Sequence, residues 1–194
     1  SAVTDMSRLF EYNITFNEDI GGWDTSSVTN MSHMFVNAEA FNQYIGKWDT
    51  DNVTNMKSMF FGAKAFNNGE NTNNESKPLN WNTGNVQTMQ GMFAKAVAFN
   101  QDISKWKTPN LKNVSMMFYE AEAFKQNIRN WKTPNLKNVS MMFDPARVIR
   151  EVRENYANNI HENPPWRDTS MWGYKNIEDR TMDRTAELLR LEAD

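Results

Sequence analysis

Cysteine is absent from the 194-residue chain, and histidine occurs twice. The lack of cysteine excludes disulfide bonds, thiolate metal sites and a cysteine nucleophile. His33 and His161 lie in different parts of the sequence, and neither has an equivalent elsewhere in the chain. A histidine zinc site or a catalytic dyad would need further ligands or partners that the pattern does not supply. We therefore predict no catalytic residue, no metal ligand, no cofactor and no enzymatic activity.

Long apolar runs and a strong net charge are missing as well. No apolar run approaches the roughly 18 to 20 residues that cross a bilayer, so no membrane span is predicted. No glycine-rich phosphate loop is present. The net charge is −3, but residues 102–143 hold 7 basic and 3 acidic groups between two acidic segments. Such a segment either attracts an anionic partner or is simply a solvated face.

A repeated block dominates what is present. The sequence Trp-Lys-Thr-Pro-Asn-Leu-Lys-Asn-Val-Ser-Met-Met-Phe occurs at 106–118 and again, unchanged, at 131–143. A spacing of 25 residues extends through the chain, with eight extra residues between Trp48 and Trp81. Such self-similarity is typical of repeat architectures. Six units follow, and they begin at Val3, Val28, Val53, Val86, Leu111 and Leu136.

Each unit opens with a pattern that predicts a short helix. The third position always carries a side chain that can cap a helix start, and apolar residues follow at i, i+3 and i+4. The capping column is Asp5, Asn30, Asn55, Thr88, Asn113 and Asn138. Methionine, phenylalanine and alanine columns continue the apolar face, and we predict that they form the core together with the tryptophans.

The segment before each tryptophan, such as 101–106, predicts a short strand that stacks in parallel on its neighbours. The fold class is therefore an α/β repeat solenoid with one short helix and one short parallel strand per 25-residue unit. We predict that the solenoid spans 3–144, with a polar insertion at 68–77. A helical C-terminal cap at 145–162 and an extended and helical tail at 163–194 follow.

The unit resembles a known repeat family in three stretches: Val-Thr-Asn-Met-Ser-His-Met-Phe at 28–35, Ala-Phe-Asn-Gln at 40–43 and Ile-Gly-Lys-Trp-Asp-Thr at 45–50. These stretches resemble the BspA-like surface-protein repeat, a relative of leucine-rich repeats found in mycoplasma lipoproteins and other microbial surface proteins. The resemblance covers residues 3 to about 144. It implies a leucine-rich-repeat-like solenoid used in adhesion and protein binding, at the cell surface or outside the cell, without enzymatic activity.

We expect a non-catalytic scaffold that binds a protein or a surface through its exposed strand face. The candidate residues project from the strand ends and the tail: Tyr44, Lys47, Lys105, Lys107, Arg129, Lys132, Trp166 and Trp172. Nucleic acid is not an expected partner, because the aromatic columns recur at inward positions and serve packing rather than base stacking. The alternative is a structural subunit docked through its aromatic tail, favoured also by the lack of a cover for the first core face at Val3.

Overall fold

The computed structural model describes residues 2–70, 77–128 and 130–144. Across these residues no α-helix and no extended strand is present, so the predicted α/β architecture is wrong. Regular pairing is confined to isolated parallel bridges between successive repeats. The bridges join Asp5 to Asn30, Asn30 to Asn55, Asn55 to Thr88, Thr88 to Asn113, Asn113 to Asn138 and Phe118 to Phe143.

Consecutive tight turns replace the predicted helix. In the second repeat the N–H groups of Met34, Val36 and Ala38 bond to carbonyls three residues earlier, at N···O distances of 3.3, 3.2 and 3.0 Å. His33 and Asn37 have φ angles of 61° and 53°, in the left-handed region. An α-helix needs right-handed φ angles throughout and bonds from i to i−4. The chain therefore makes a series of turns rather than a helix.

The remaining amides of this segment bond to the next repeat. His33 donates to the carbonyl of Lys57 at 2.8 Å, and Phe35 donates to the carbonyl of Met59 at 2.8 Å. The same pattern recurs in the first five repeats, with every second residue donating to the repeat that follows. The apolar spacing of i, i+3 and i+4 thus fits a turn series whose amides bond alternately within the repeat and to the next repeat.

The capping column accepts hydrogen bonds as expected, but each bond closes a turn instead of starting a helix. Asn30 Oδ1 accepts from the amide of Ser32 at 3.0 Å, and Asn113 Oδ1 accepts from the amide of Ser115 at 2.9 Å. Asp5, Asn55, Thr88 and Asn138 accept from the amide two residues on in the same way. These are local side-chain turns of the kind that asparagine and aspartate favour.

The predicted core columns are confirmed in the inner repeats, whereas Leu9 and Trp23 of the first repeat are exposed. Phenylalanines 35, 60, 93 and 118 are buried and stack in one row, with ring centroids 5.3 to 5.9 Å apart. A second row, from Phe41 to Phe124, lies beside it and is also buried. The methionines between them are fully covered in the middle repeats. Each ring is therefore covered both by its partner ring in the same repeat, 3.7 to 4.1 Å away between centroids, and by the rings of the neighbouring repeats.

The segment before the tryptophan is a turn in four repeats and irregular at 77–80 before Trp81, and in none of the five is it the predicted strand. The amide of Trp106 donates to the carbonyl of Ile103, and the amide of Trp131 donates to the carbonyl of Ile128, both at 3.1 Å. Isoleucine and tryptophan are buried in both cases. The predicted strand face is thus an edge made of turns.

The two ends of the insertion are held together by a buried side chain. Asn68 Oδ1 accepts from the amide of Ile45 at 3.0 Å, and Asn68 Nδ2 donates to the carbonyl of Lys77. Because Asn68 is fully buried, both polar ends of its amide group need these partners. Residues 71–76 between these ends lie outside the described part, as do the predicted cap at 145–162 and the tail at 163–194.

Candidate protein-binding edge

Five turn segments stack along one side of the repeats, at 22–29, 47–54, 80–87, 105–112 and 130–137. We call this surface the turn edge. In each segment a tryptophan is followed by one residue and then by a buried threonine. Trp23 alone is 39% exposed, whereas the other four tryptophans are buried. The residue between tryptophan and threonine is exposed in all five segments.

The tryptophans fix the inner side of the turn edge. Each buried indole Nε1–H donates to a carbonyl of the preceding repeat at 2.9 or 3.0 Å. The acceptors are Ile20 for Trp48, Ile45 for Trp81, Leu79 for Trp106 and Ile103 for Trp131. The rings are spaced evenly, with centroids 6.3, 6.1 and 6.2 Å apart from Trp48 to Trp131. The insertion therefore does not disturb the spacing of the edge.

The threonines fix the backbone of the exposed position. Thr25 donates to the carbonyl of Asp49, and Thr50 donates to that of Asn82, both at 2.9 Å. The next two repeats continue the ladder: Thr83 to Lys107 at 2.7 Å and Thr108 to Lys132 at 3.0 Å. Each accepting residue lies between a buried tryptophan and a buried threonine, and its own side chain is exposed. We call these exposed residues, with Asp24 at the start, the charge column.

The charge column carries acids at one end and lysines at the other. Its members in chain order are Asp24, Asp49, Asn82, Lys107 and Lys132. Asp24 Oδ1 accepts from the Ser26 amide at 3.0 Å, and Asp49 Oδ1 accepts from the Asp51 amide at 2.9 Å. In the last two segments proline stands two residues after lysine and has no N–H to cap. A capping acceptor is not needed there, and lysine occupies the position.

Ser26 affects the ionisation of the acidic end. Its hydroxyl donates to Asp24 Oδ1 at 2.6 Å, and its amide donates to the same oxygen. These two hydrogen bonds hold the pKa of Asp24 below its ordinary value of 3.8, the hydroxyl being the larger cause. Asp24 is therefore a carboxylate at neutral pH and keeps a second oxygen on an exposed surface.

Lysines gather at the other end of the turn edge. Lys105, Lys107, Lys132 and Lys137 are all exposed, and Lys112 bonds through Nζ to Gln87 Oε1 at 2.9 Å. The ion pairs found among the described residues involve other parts of the surface, namely Arg8 with Glu11, Lys64 with Glu39 and Lys95 with Glu120. The fold itself gives no reason for so many cations in two adjacent segments.

The structure brings several predicted site residues together on this surface. Lys47, Lys105, Lys107 and Lys132 belong to the turn edge and are exposed. Tyr44 is half-buried and lines, with Lys47 and Asp19, an open depression of about 570 Å³ beside the edge. Arg129, Trp166 and Trp172 lie outside the described residues.

The predicted binding residues leave out the acidic half of the surface, Asp24 and Asp49, and the lysines at 112 and 137. The available signal was the exchange down the charge column, where Asp-Thr-Ser and Asp-Thr-Asp give way to Lys-Thr-Pro. Proline removes the amide that the aspartate caps, so the two changes belong together. In the sequence this exchange argues only against a metal or acid-base ladder of stacked carboxylates, and the structure adds that all five positions are exposed in one row.

Other chemistry is little supported in the part of the chain that the structure describes. His33 is half-buried, and burial, then Arg8 and Lys57, lower its pKa below 6.5. Among the described residues no group of three or more histidine, cysteine or acidic side chains is placed to hold a metal ion. No helix in the same residues is long and apolar enough to span a membrane.

Comparison with known proteins identifies a repeat family. The model of the family described as "Mycoplasma protein of unknown function, DUF285" matches the chain twice, over residues 1–78 and 70–156. Two matches in tandem agree with the repeats seen in the sequence and in the core. Neither the curated proteins nor the solved structures contain a significant match.

Proposed function

We propose that this chain, which belongs to the DUF285 family of Mycoplasma proteins of unknown function, is a non-catalytic repeat scaffold whose turn edge binds a protein partner. The observation that carries the proposal is the charge column. Its backbone is fixed by the threonine ladder, and its side chains bear charges that packing does not require. A backbone that is already fixed loses little further conformational freedom on binding, and a row of exposed charges favours complementary partners.

The basic end is the part of the turn edge that we assign to the partner. Lysines in two adjacent segments raise the local positive potential and attract acidic surfaces over distances comparable to the screening length. The predicted residues Lys105, Lys107 and Lys132 lie there, with Arg129 close by in sequence. Tyr44 and Lys47 lie apart from the basic end, at the depression beside the second segment of the turn edge.

Finer parts of the proposal rest on the resemblance to BspA-like repeats. They are a solenoid related to leucine-rich repeats, an adhesion-like role and a location at the cell surface or outside the cell. The stacked turns support a solenoid in a form without helices, because each repeat bonds to the next through its backbone. The alternative of a structural subunit docked through the tail stays a prediction, since 163–194 lie outside the described residues.

The test is a charge reversal of the basic end in the full chain. Changing Lys105, Lys107, Arg129 and Lys132 to Glu should abolish retention of the partner in pull-downs from the native source, while circular dichroism shows an unchanged fold. A matched control changes Lys57, Lys64, Lys95 and Lys125 to Glu, which alters the net charge equally away from the turn edge. Partner retention by the first variant at the level of the control would refute this surface as the site.

A further inference from the structure

We infer that two copies of this chain pair through their turn edges, which face each other with the repeats running in opposite directions. The inference rests on the proposed function, because it uses the same surface and names a second copy as the partner. It is carried by the sign of the charge column, which reverses about a neutral centre. Asp24 and Asp49 precede Asn82, and Lys107 and Lys132 follow it.

The even spacing of the repeats allows the opposite charges of two antiparallel copies to align. The tryptophans next to the column are 6.3 Å apart before Asn82 and 6.1 Å apart after it, measured between ring centroids. The distance from the centre to Asp49 along the repeats therefore equals, within the scatter of the rows, the distance from the centre to Lys107. A second copy that is related to the first by a two-fold rotation through the Asn82 position therefore has its charge column in register with that of the first copy.

A two-fold axis that runs along the third segment generates this contact. Such an axis reverses the order of the repeats and keeps each column opposite the same column of the second copy, as a self-complementary interface requires. Asp49 then faces Lys107 of the second copy, and Asp24 faces Lys132. The two Asn82 side chains meet near the axis. Each charged pair occurs twice by symmetry.

The opposite arrangement, with both copies running in the same direction, is disfavoured by the same column. It places Asp24 against Asp24 and Lys107 against Lys107, and like charges across an interface are repulsive. An acidic protein partner would use the lysines but would leave the aspartates unpaired. Self-pairing uses both ends of the column.

One position opposes the pairing and so gives a directional test. Lys47 lies on the turn edge one residue before Trp48, and Lys105 lies one residue before Trp106. The two-fold arrangement brings Lys47 opposite Lys105 of the second copy. We therefore expect Lys47→Glu to strengthen self-association, although the substitution adds negative charge to a chain that is already acidic overall.

The pairing should be reversible and salt-sensitive. All members of the charge column are exposed, and exposed ion pairs are individually weak and screened by salt. Sedimentation velocity of the full chain should show a concentration-dependent dimer at low salt. At about 1 M salt, where charges are screened within about 3 Å, the dimer should dissociate.

Charge exchange between two variants tests whether the charge column makes the contact, and the Lys47→Glu variant tests its direction. A variant with Asp24→Lys and Asp49→Lys, and another with Lys107→Asp and Lys132→Asp, should each sediment as a monomer at low salt. An equimolar mixture of the two should restore the dimer, because each acidic column then faces a basic one. Controls with the same charge changes away from the turn edge, Glu18→Lys with Glu122→Lys and Lys64→Asp with Lys125→Asp, should dimerise like the parent chain.

Three results would overturn the inference: a parent chain that stays monomeric at low salt, single variants that still dimerise, or a mixture that does not recover. The proposed function fails separately. If the mixture does not recover but a different protein is still retained by the parent and lost by the basic-end reversal, self-pairing is wrong and the partner-binding edge stands. If the charge-exchanged mixture recovers and pull-downs retain no other protein, the second copy is the partner.

Discussion

Two threonines in identical sequence surroundings occupy different hydrogen-bonding environments. Thr108 and Thr133 hold the same place in the duplicated block. The Thr108 hydroxyl donates to the carbonyl of Lys132 at 3.0 Å. The Thr133 hydroxyl is buried and has no hydrogen-bond partner among the described residues. A buried hydroxyl without a partner costs free energy that an apolar group of the same shape does not.

Replacing each of these threonines by valine should therefore give opposite results. Thr108→Val leaves the Lys132 carbonyl without its donor and should lower the free energy of unfolding by about 1 kcal/mol. Thr133→Val removes an unsatisfied hydroxyl and should raise the free energy of unfolding by about 1 kcal/mol. Urea titrations of both variants measure the difference. Equal destabilisation by the two substitutions would show that Thr133 has a partner of comparable strength.

The Asp24 carboxylate provides a pH prediction. Its folded pKa lies below 3.8, so the stabilisation is fully present above the unfolded pKa and is lost as pH falls through the lower folded value. Ser26→Ala removes the hydroxyl, the larger cause, but keeps the amide bond. We expect the pKa of Asp24 to rise toward 3.8, as measured by carboxyl-carbon NMR titration.

Asp102 is the internal control in the same titration. Its pKa is also lowered, chiefly by hydrogen bonds from the hydroxyl and amide of Ser104, and secondarily by Lys105. The Ser26→Ala substitution should leave it unchanged. An equal shift at Asp102 would point to a change in the whole fold and not to the loss of one hydroxyl.

At the scale of the element, the turn series depends on residues in the left-handed region. One column consists of Arg8, His33, Ser58, Gly91, Met116 and Met141, all with φ between 52° and 61°. A second contains Asn37, Gly62, Lys95 and Glu120. Non-glycine residues enter this region at a cost of about 1 to 2 kcal/mol. At eight of these positions the amide donates to the next repeat, and those bonds offset the cost.

The helix prediction failed because most of these left-handed positions carry no signal in their residue type. Arginine, methionine and glutamate are ordinary helix formers, and the apolar spacing around them fits a helix and a turn series equally well. Gly62, Gly91 and Asn37 were the available hints, since glycine and asparagine favour positive φ. The core columns could be predicted because burial follows the 25-residue period whichever backbone carries it.

Gly62 offers a test of the turn series. Its φ is 67°, and an added methyl group would overlap the side-chain oxygen of Asn37 in the preceding repeat. We expect Gly62→Ala to lower the free energy of unfolding by about 1 to 2 kcal/mol. Gly22→Ala is the matched control, because nothing lies within 4 Å of its added methyl group.

Thermal unfolding of the two variants separates the explanations. The Gly22 variant should remain within about 0.5 kcal/mol of the parent, or gain slightly from a less flexible unfolded chain. If the Gly62 variant is equally stable, the left-handed turn tolerates a side chain there and strain does not govern the element.

At the scale of the whole molecule, the core is a set of rows in which each member contacts its neighbours in the adjacent repeats. Phe93 stacks on Phe60 at 5.6 Å and on Phe118 at 5.9 Å, measured between ring centroids. Its other close ring is Phe99 at 3.7 Å. In such an array stability is approximately a sum of repeat terms and nearest-neighbour terms. The stacked rings set the distance between neighbouring repeats along the turn edge. The geometry of the turn edge therefore depends on rows that are not interrupted.

A cavity in the middle of the phenylalanine row should divide the array. Phe93→Ala removes a fully buried ring and should cost about 3 to 5 kcal/mol. Because coupling passes from one repeat to the next, we expect urea unfolding to separate into two transitions. Hydrogen exchange should then show lower protection on one side of residue 93 than on the other.

Phe10→Ala is the comparison at the end of the same row. Phe10 is only half-buried and stacks on Phe35 at 5.4 Å, with no earlier repeat among the described residues. Its loss should cost less than that of Phe93 and leave a single transition, because every other pair of repeats stays in contact. If both variants unfold in one transition with uniform loss of protection, the array behaves as a single cooperative unit. In that case the charge column is held by the whole fold, and a local cavity near Phe93 would leave self-pairing along the turn edge intact.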